Sequence, residues 1–189
     1  MLPRRLALAL LVLALMAFPT FAADDTSGEP TWQAVVEQRL PMFGDGNLIV
    51  IADAAFPEMS VDGVQTIHTH TPQIEVLKSV LASIDENKHL RPMVSTSDEL
   101  KFVEERDAPG ISAYRDSLLQ LLAGRESDTV PELKAIHSAA ETATLYRVLV
   151  LKTDSTLPFT SVFIHLKNGY WSPEAEKRLR DAMTADESK

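Results

Sequence analysis

The chain has 189 residues, 45% of them hydrophobic and 24% charged, with no cysteine and a formal net charge of −9. This is the composition of a globular protein rather than a disordered one, and without disulfides core burial alone must hold it together. The acidic balance lacks the clustered Lys and Arg that phosphate contacts need, which excludes nucleic acid and anionic lipid and favours a neutral molecule, a cation or another protein as partner.

At the N-terminus, Arg4 and Arg5 precede the apolar run "LALALLVLALMAF", and the small-residue site "TFA" follows it. That order describes a secretory signal peptide over residues 1–22. The run is shorter than the roughly 20 residues of a membrane span, and no basic flank follows it. A polar linker occupies 23–29, and a single domain is expected over 30–189. Cleavage removes Arg4 and Arg5, which takes the formal charge from −9 to −11. The expected product is exported, periplasmic or secreted, and free of the membrane.

Trp32, Val35, Val36 and Leu40 predict a helix ending near Pro41. "LIVIA" at 48–52 reads as a strand buried on both faces. "VQTIHT" alternates like a strand, and a helix follows with Thr71 as N-cap, Pro72 in its first position and an apolar face of Ile74, Leu77, Val80, Leu81 and Ile84. "RPMVST" is a further strand, and Ser97 opens a polar helix, "DELKFVEER". Ile111, Tyr114, Leu118, Leu121 and Leu122 mark an amphipathic helix that Gly124 ends. "LKAI" reads as a weak strand and "SAAETATL" as a short helix; "YRVLVLK" and "TSVFIHLK" are strands, and 173–184 is a last helix. The alternation of strands and helices predicts a layered α/β domain.

Several motifs compete for chemistry. "GDG" at 44–46 follows a helix and opens a strand, the reverse of a dinucleotide fingerprint. A calcium loop starting at Asp45 fails because Ile49 and Ile51 stand where oxygen ligands are needed. A plain turn is the simplest reading. His68 and His70 share one strand face at a spacing suited to zinc, but no clear third ligand lies nearby in sequence, so no metal is assigned. Asp53 ends a buried strand where α/β sheets place ligands; it equally suits a cap for the turn that follows.

The stretch "MFGDGNLIVIADAAFP" resembles the first strand region of the D-ribose pyranase and L-fucose mutarotase family, in which Gly-His-x-Asp, an apolar strand and Asp-Ala-x-x-Pro share this spacing. Gly44, Asp53, Ala54, Phe56 and Pro57 match, and the order of later elements is similar over most of 30–170. The resemblance implies a mixed central sheet flanked by helices, a ring-shaped homo-oligomer, no cofactor, and a free monosaccharide interconverted between anomers or ring forms. The family's catalytic His corresponds to Asp45, its next Asp to Asn47, and its late Tyr-x-Asn to Phe159, Thr160 and Ser161, while a basic contact falls close to His137.

Ring opening needs a base for the anomeric hydroxyl and an acid for the ring oxygen. An aspartate with the ordinary pKa of about 3.9 is protonated roughly once in a thousand molecules at pH 7, which suits Asp45 to the base role. The expected site therefore has Asp45 as base and, as acid, His137 or one of the pair His68 and His70 from a neighbouring subunit. Asp53, Asn47 and Ser161 would contact sugar hydroxyls, Phe159 would stack on the sugar, and His68 and His70 would reach in from a neighbouring subunit. The alternative is a non-catalytic sugar-binding or assembly protein that has lost the reaction with the family His.

Overall fold

A computed structural model describes residues 30–187. The predicted signal peptide and linker lie outside the described residues. Thr31 Oγ1 accepts from the Ala34 amide at 3.3 Å and opens α1 (Trp32–Arg39), whose Trp32, Val35 and Val36 are buried. A 3-10 turn, Leu40–Met42, ends it at Pro41. Then follow β1 (Leu48–Ala52), β2 (Val64–His68), α2 (Gln73–Glu86), β3 (Leu90–Ser97), α3 (Ile111–Leu122), β4 (Ser127–Val130), α4 (Glu132–Thr142), β5 (Val148–Lys152), β6 (Val162–Asn168) and α5 (Pro173–Glu187).

The strands form one six-stranded sheet in the order β2-β5-β1-β6-β3-β4. β1 pairs in parallel with β5 and antiparallel with β6, which makes the sheet mixed. Strand alternation divides the core. Ile49, Ile51, Leu149, Leu151 and Ile164 face α1, α2 and α3, while Leu48, Val50, Val148, Val150 and Phe163 face α4. Every residue of β1 is buried, as its uninterrupted apolar run predicts. On α2, Val76, Leu77, Val80, Leu81 and Ile84 are buried, each contributing about 1.5–3 kcal/mol of transfer free energy.

The layered α/β expectation and its mixed sheet are what the chain adopts. Several local expectations differ. Thr71 does not cap α2; its hydroxyl donates to the Thr69 carbonyl at 2.9 Å, and the helix begins after Pro72. "DELKFVEER" forms only a five-residue 3-10 turn, Asp98–Phe102. The "LKAI" strand does not exist, because α4 runs through it from Glu132 to Thr142. The short edge strand β4, with three of its four residues exposed, carries no hydrophobic alternation to announce it.

Topology places the site. β1, β2, β3, β4 and β5 all run in one direction, so their carboxyl ends, with the start of β6, form a single edge of the sheet. Asp53, His68, Ser97, Glu132, Asp154 and Ser161 belong to that edge by their positions in the chain. Open α/β sheets bind ligands at this edge.

Candidate functional site

Asp53 follows the last residue of β1 and is 6% exposed. Its amide donates to Ser161 Oγ at 3.2 Å, the Ser161 hydroxyl donates to Asp53 Oδ2 at 3.0 Å, and the Ala55 amide donates to Oδ1 at 2.8 Å. The last bond is an Asx-turn, so Asp53 caps the turn after β1 while also lining a cleft.

The surroundings of Ser161 are fixed from below. The Thr160 carbonyl accepts from Tyr114 Oη at 2.8 Å and from Gln73 Nε2 at 2.8 Å, and Gln73 Nε2 also donates to the Ile51 carbonyl at 3.2 Å. Burial, with a smaller contribution from the Asp53 charge, pushes the Tyr114 hydroxyl above its ordinary range, so it serves as a donor. Phe56 of "DAAFP" is buried and tilts against Phe163 with ring centroids 6.1 Å apart, which ties the loop after β1 to the sheet.

The cleft has a volume of about 230 Å³, below the range of drug-sized sites, and its lining includes Asp53, Phe56, Glu132, Ile136, Pro158 and Phe159. Phe159 stands at this cleft with φ 60°, a left-handed conformation that a non-glycine residue adopts only when its surroundings impose it. Glu132 and Ile136, one helical turn apart, present one face of α4 to the cleft.

Glu132 is the most perturbed carboxyl of the site. Desolvation, then the charge of Asp53, then that of Glu99, push it up to about 7, against a smaller opposing pull from the Ser97 hydroxyl. Ser97 Oγ is buried and makes no well-formed hydrogen bond, so its influence on Glu132 is one of proximity only. Glu99 is held in place because its carboxylate accepts from the Glu132 amide at 3.1 and 3.3 Å, closing the first turn of α4. At neutral pH Glu132 therefore exchanges a proton readily, a role histidine usually fills.

The structure brings Asp53, Ser161 and Phe159 together and leaves the other sequence candidates apart. Asp45 is exposed at the opposite edge of the sheet, paired with Lys167 at 3.5 Å. The five residues of β1 separate it from Asp53 by roughly 16 Å of strand, so it reaches such a cleft only from a second copy of the chain. Asn47 is engaged in the turn before β1: its Oδ1 accepts from the Gly44 amide at 2.8 Å and its Nδ2 donates to the Arg147 carbonyl at 3.2 Å. Gly46 of that turn has φ 98° and lies under the Tyr146 ring, where a Cβ would stand 2.9 Å from Cζ.

His137 is exposed, on a face of α4 turned away from buried Ala135 and Ala139. His68 and His70 lie at the end of β2 with Asp154, on another part of the same sheet edge. Glu132 is not among the sequence candidates because "LKAI", which follows it, reads as a strand; the signal available is Pro131 followed by an acidic residue, a helix-opening pair.

No family model matches the sequence, and no curated protein matches it. Among solved structures, Bacillus subtilis RbsD complexed with D-ribose is similar at 17% identity with a TM-score of 0.52, over 74% of this chain and 96% of that one. The fucose mutarotase of Streptococcus pneumoniae, solved with L-fucose, gives 19% identity and a TM-score of 0.47 over 71% and 91% of the two chains. FucU from Bifidobacterium longum gives 14% and 0.46 over 69% and 91%. The likeness to RbsD establishes a shared fold, the one that the stretch from Met42 to Pro57 implied.

Proposed function

We propose that the chain binds a free monosaccharide in the cleft at Asp53 and catalyses opening and reclosure of its ring. The observation that carries this reading is the placing of buried Asp53 and half-buried Glu132, whose carboxyl is pushed up to about 7, on one small cleft with aromatic walls. Two neighbouring carboxyl groups repel an anionic ligand and offer acceptors to a neutral polyol. Phe159 presents a ring to the apolar face of a sugar. The fold shared with RbsD, which was solved with D-ribose, supports the same ligand class. The N-terminal sequence supports action by an exported chain.

In this mechanism Asp53 accepts a sugar hydroxyl and sets the ring's orientation. The anomeric carbon carries the ring oxygen and a hydroxyl, and a single protonated carboxyl has a donor and an acceptor oxygen to match them. Glu132 donates its proton to the ring oxygen while its other oxygen takes the anomeric hydroxyl proton. The bond from the anomeric carbon to the ring oxygen breaks and an aldehyde forms, leaving Glu132 protonated again. Rotation about the adjacent carbon–carbon bond and the reverse transfer close the ring in the other anomeric form.

A second reading, a sugar-binding protein without turnover, is favoured by one observation: among the described residues no histidine lines the cleft. Saturation transfer between anomers, measured by NMR for D-ribose, L-fucose and a panel of other sugars, separates the two. The proposal expects acceleration of at least one sugar by the wild-type chain and a loss of roughly 10²- to 10⁴-fold in Glu132→Gln. Chemical-shift changes on binding with no acceleration for any sugar would leave the binding reading in its place.

A further inference from the structure

Outside the cleft, one cluster of side chains among the described residues has the composition of a metal centre. The parallel register of β2 and β5 pairs His68 with Lys152, which brings Asp154, two residues beyond, against the end of β2. His68 Nε2 stands 3.0 Å from Asp154 Oδ1, His70 Nδ1 stands 3.8 Å from Asp154 Oδ2, and His68 Nδ1 stands 3.1 Å from His70 Nε2. His70 has φ 50°, and its ring meets that of His68 edge-on at a centroid separation of 4.1 Å. One donor atom from each of the three residues lies within 4.8 Å of the others.

We propose that His68, His70 and Asp154 bind one divalent transition-metal ion, zinc being the ion of reference. Ligands held about 2.0–2.2 Å from a zinc ion stand roughly 3–4 Å from one another, so closure of the cluster onto an ion needs only small side-chain rotations. Two imidazoles and one carboxylate match the nitrogen and oxygen donors that zinc and its neighbours accept, whereas calcium and magnesium require oxygen throughout. Three protein ligands leave a position open to water or an external ligand. Asp154 also belongs to the connection that carries Leu157, Pro158 and Phe159 into the cleft, so a bound ion anchors that connection to β2.

The inference stands independently of the sugar reading, because its test measures metal and not turnover. The mature chain, without a polyhistidine tag and stripped with EDTA, is titrated calorimetrically with zinc chloride. One ion per chain is expected, with a rise in melting temperature on loading. His70→Asn, chosen because asparagine tolerates the left-handed backbone, and Asp154→Asn should each weaken binding at least tenfold.

The side chains of His68, His70 and Asp154 are 42%, 79% and 67% exposed, so these substitutions leave the core intact, and circular dichroism checks it. His68→Gln supplies an independent arm. Loading with cobalt gives a visible d–d spectrum that these variants should lose. Absence of zinc binding, or wild-type affinity in both His70→Asn and Asp154→Asn, overturns the proposal.

Discussion

Glu132→Gln tests the electrostatics of the cleft without reference to any ligand. The carboxyl of Glu132 rises from 4.5 in the unfolded chain to about 7 in the folded one. Between those values the folded chain binds more protons than the unfolded chain, so stability falls as pH rises. The contribution is fully present below pH 4.5 and is lost as the pH passes 7. A rise of that size is linked to at most about 3 kcal/mol, and solvent screening at a half-buried carboxyl reduces it to about 1–2 kcal/mol.

Glutamine keeps the shape and removes the titration. Urea unfolding should therefore find the variant and the wild type separated by a pH-independent amount below pH 4.5, with the variant gaining about 1–2 kcal/mol relative to wild type by pH 8. Asp53→Asn should bring the Glu132 titration, followed by carboxyl-carbon NMR, down from about 7 without restoring it to 4.5, because desolvation is the larger cause. A wild-type-minus-variant difference flat from pH 4 to 8, or a Glu132 titration near 4.5, would refute this account of the site.

Two further outcomes follow from the same geometry. If the protonated Glu132 carboxyl opens the ring, anomer exchange is steady on the acid side of pH 7 and falls by about tenfold per pH unit well above it; a rate that rises through pH 7 would make the ionised form the active one. Gly63→Ala places a Cβ 1.9 Å from the Ala143 carbonyl oxygen, a backbone atom beside the C-terminus of α4 that cannot rotate away. Urea unfolding should show a loss of about 3 kcal/mol, the upper end of the range for overpacking, and an unchanged midpoint would mean that α4 does not pack there.

The legibility of this fold follows the size of its side chains. β1 was readable because five large apolar residues in a row leave no other arrangement than a strand covered on both faces. Asp53 was readable because a carboxylate terminates that run. The helix α4 was not, since its buried face is Ala135, Ala139 and, just past its end, Ala143. Alanines four apart bury little area and give no stripe of large residues, so the local "LKAI" reads as a strand and nothing marks Glu132 beside it. Asp154 was invisible as a partner of His68 and His70 for a different reason. Nothing in local sequence records that β2 and β5 pair in parallel, and only that register supplies the third donor.

Asp45 stands where the family resemblance implies a histidine, and the cost of protonating an aspartate there can be compared directly with that of Glu132. An ordinary aspartate at pH 7 pays about 4 kcal/mol to be found protonated, whereas a carboxyl with a pKa of about 7 is protonated half the time at a cost of about 0.4 kcal/mol. Glu132 is in the second position because desolvation at its half-buried site and the charges of Asp53 and Glu99 all oppose its ionisation. An imidazole has no acceptor oxygen beside its donor, so it needs a second group to open a hemiacetal, while one carboxyl supplies both functions. In the proposed mechanism one α4 side chain beside Asp53 takes both of the roles that the sequence divides between a base at 45 and an acid at 137.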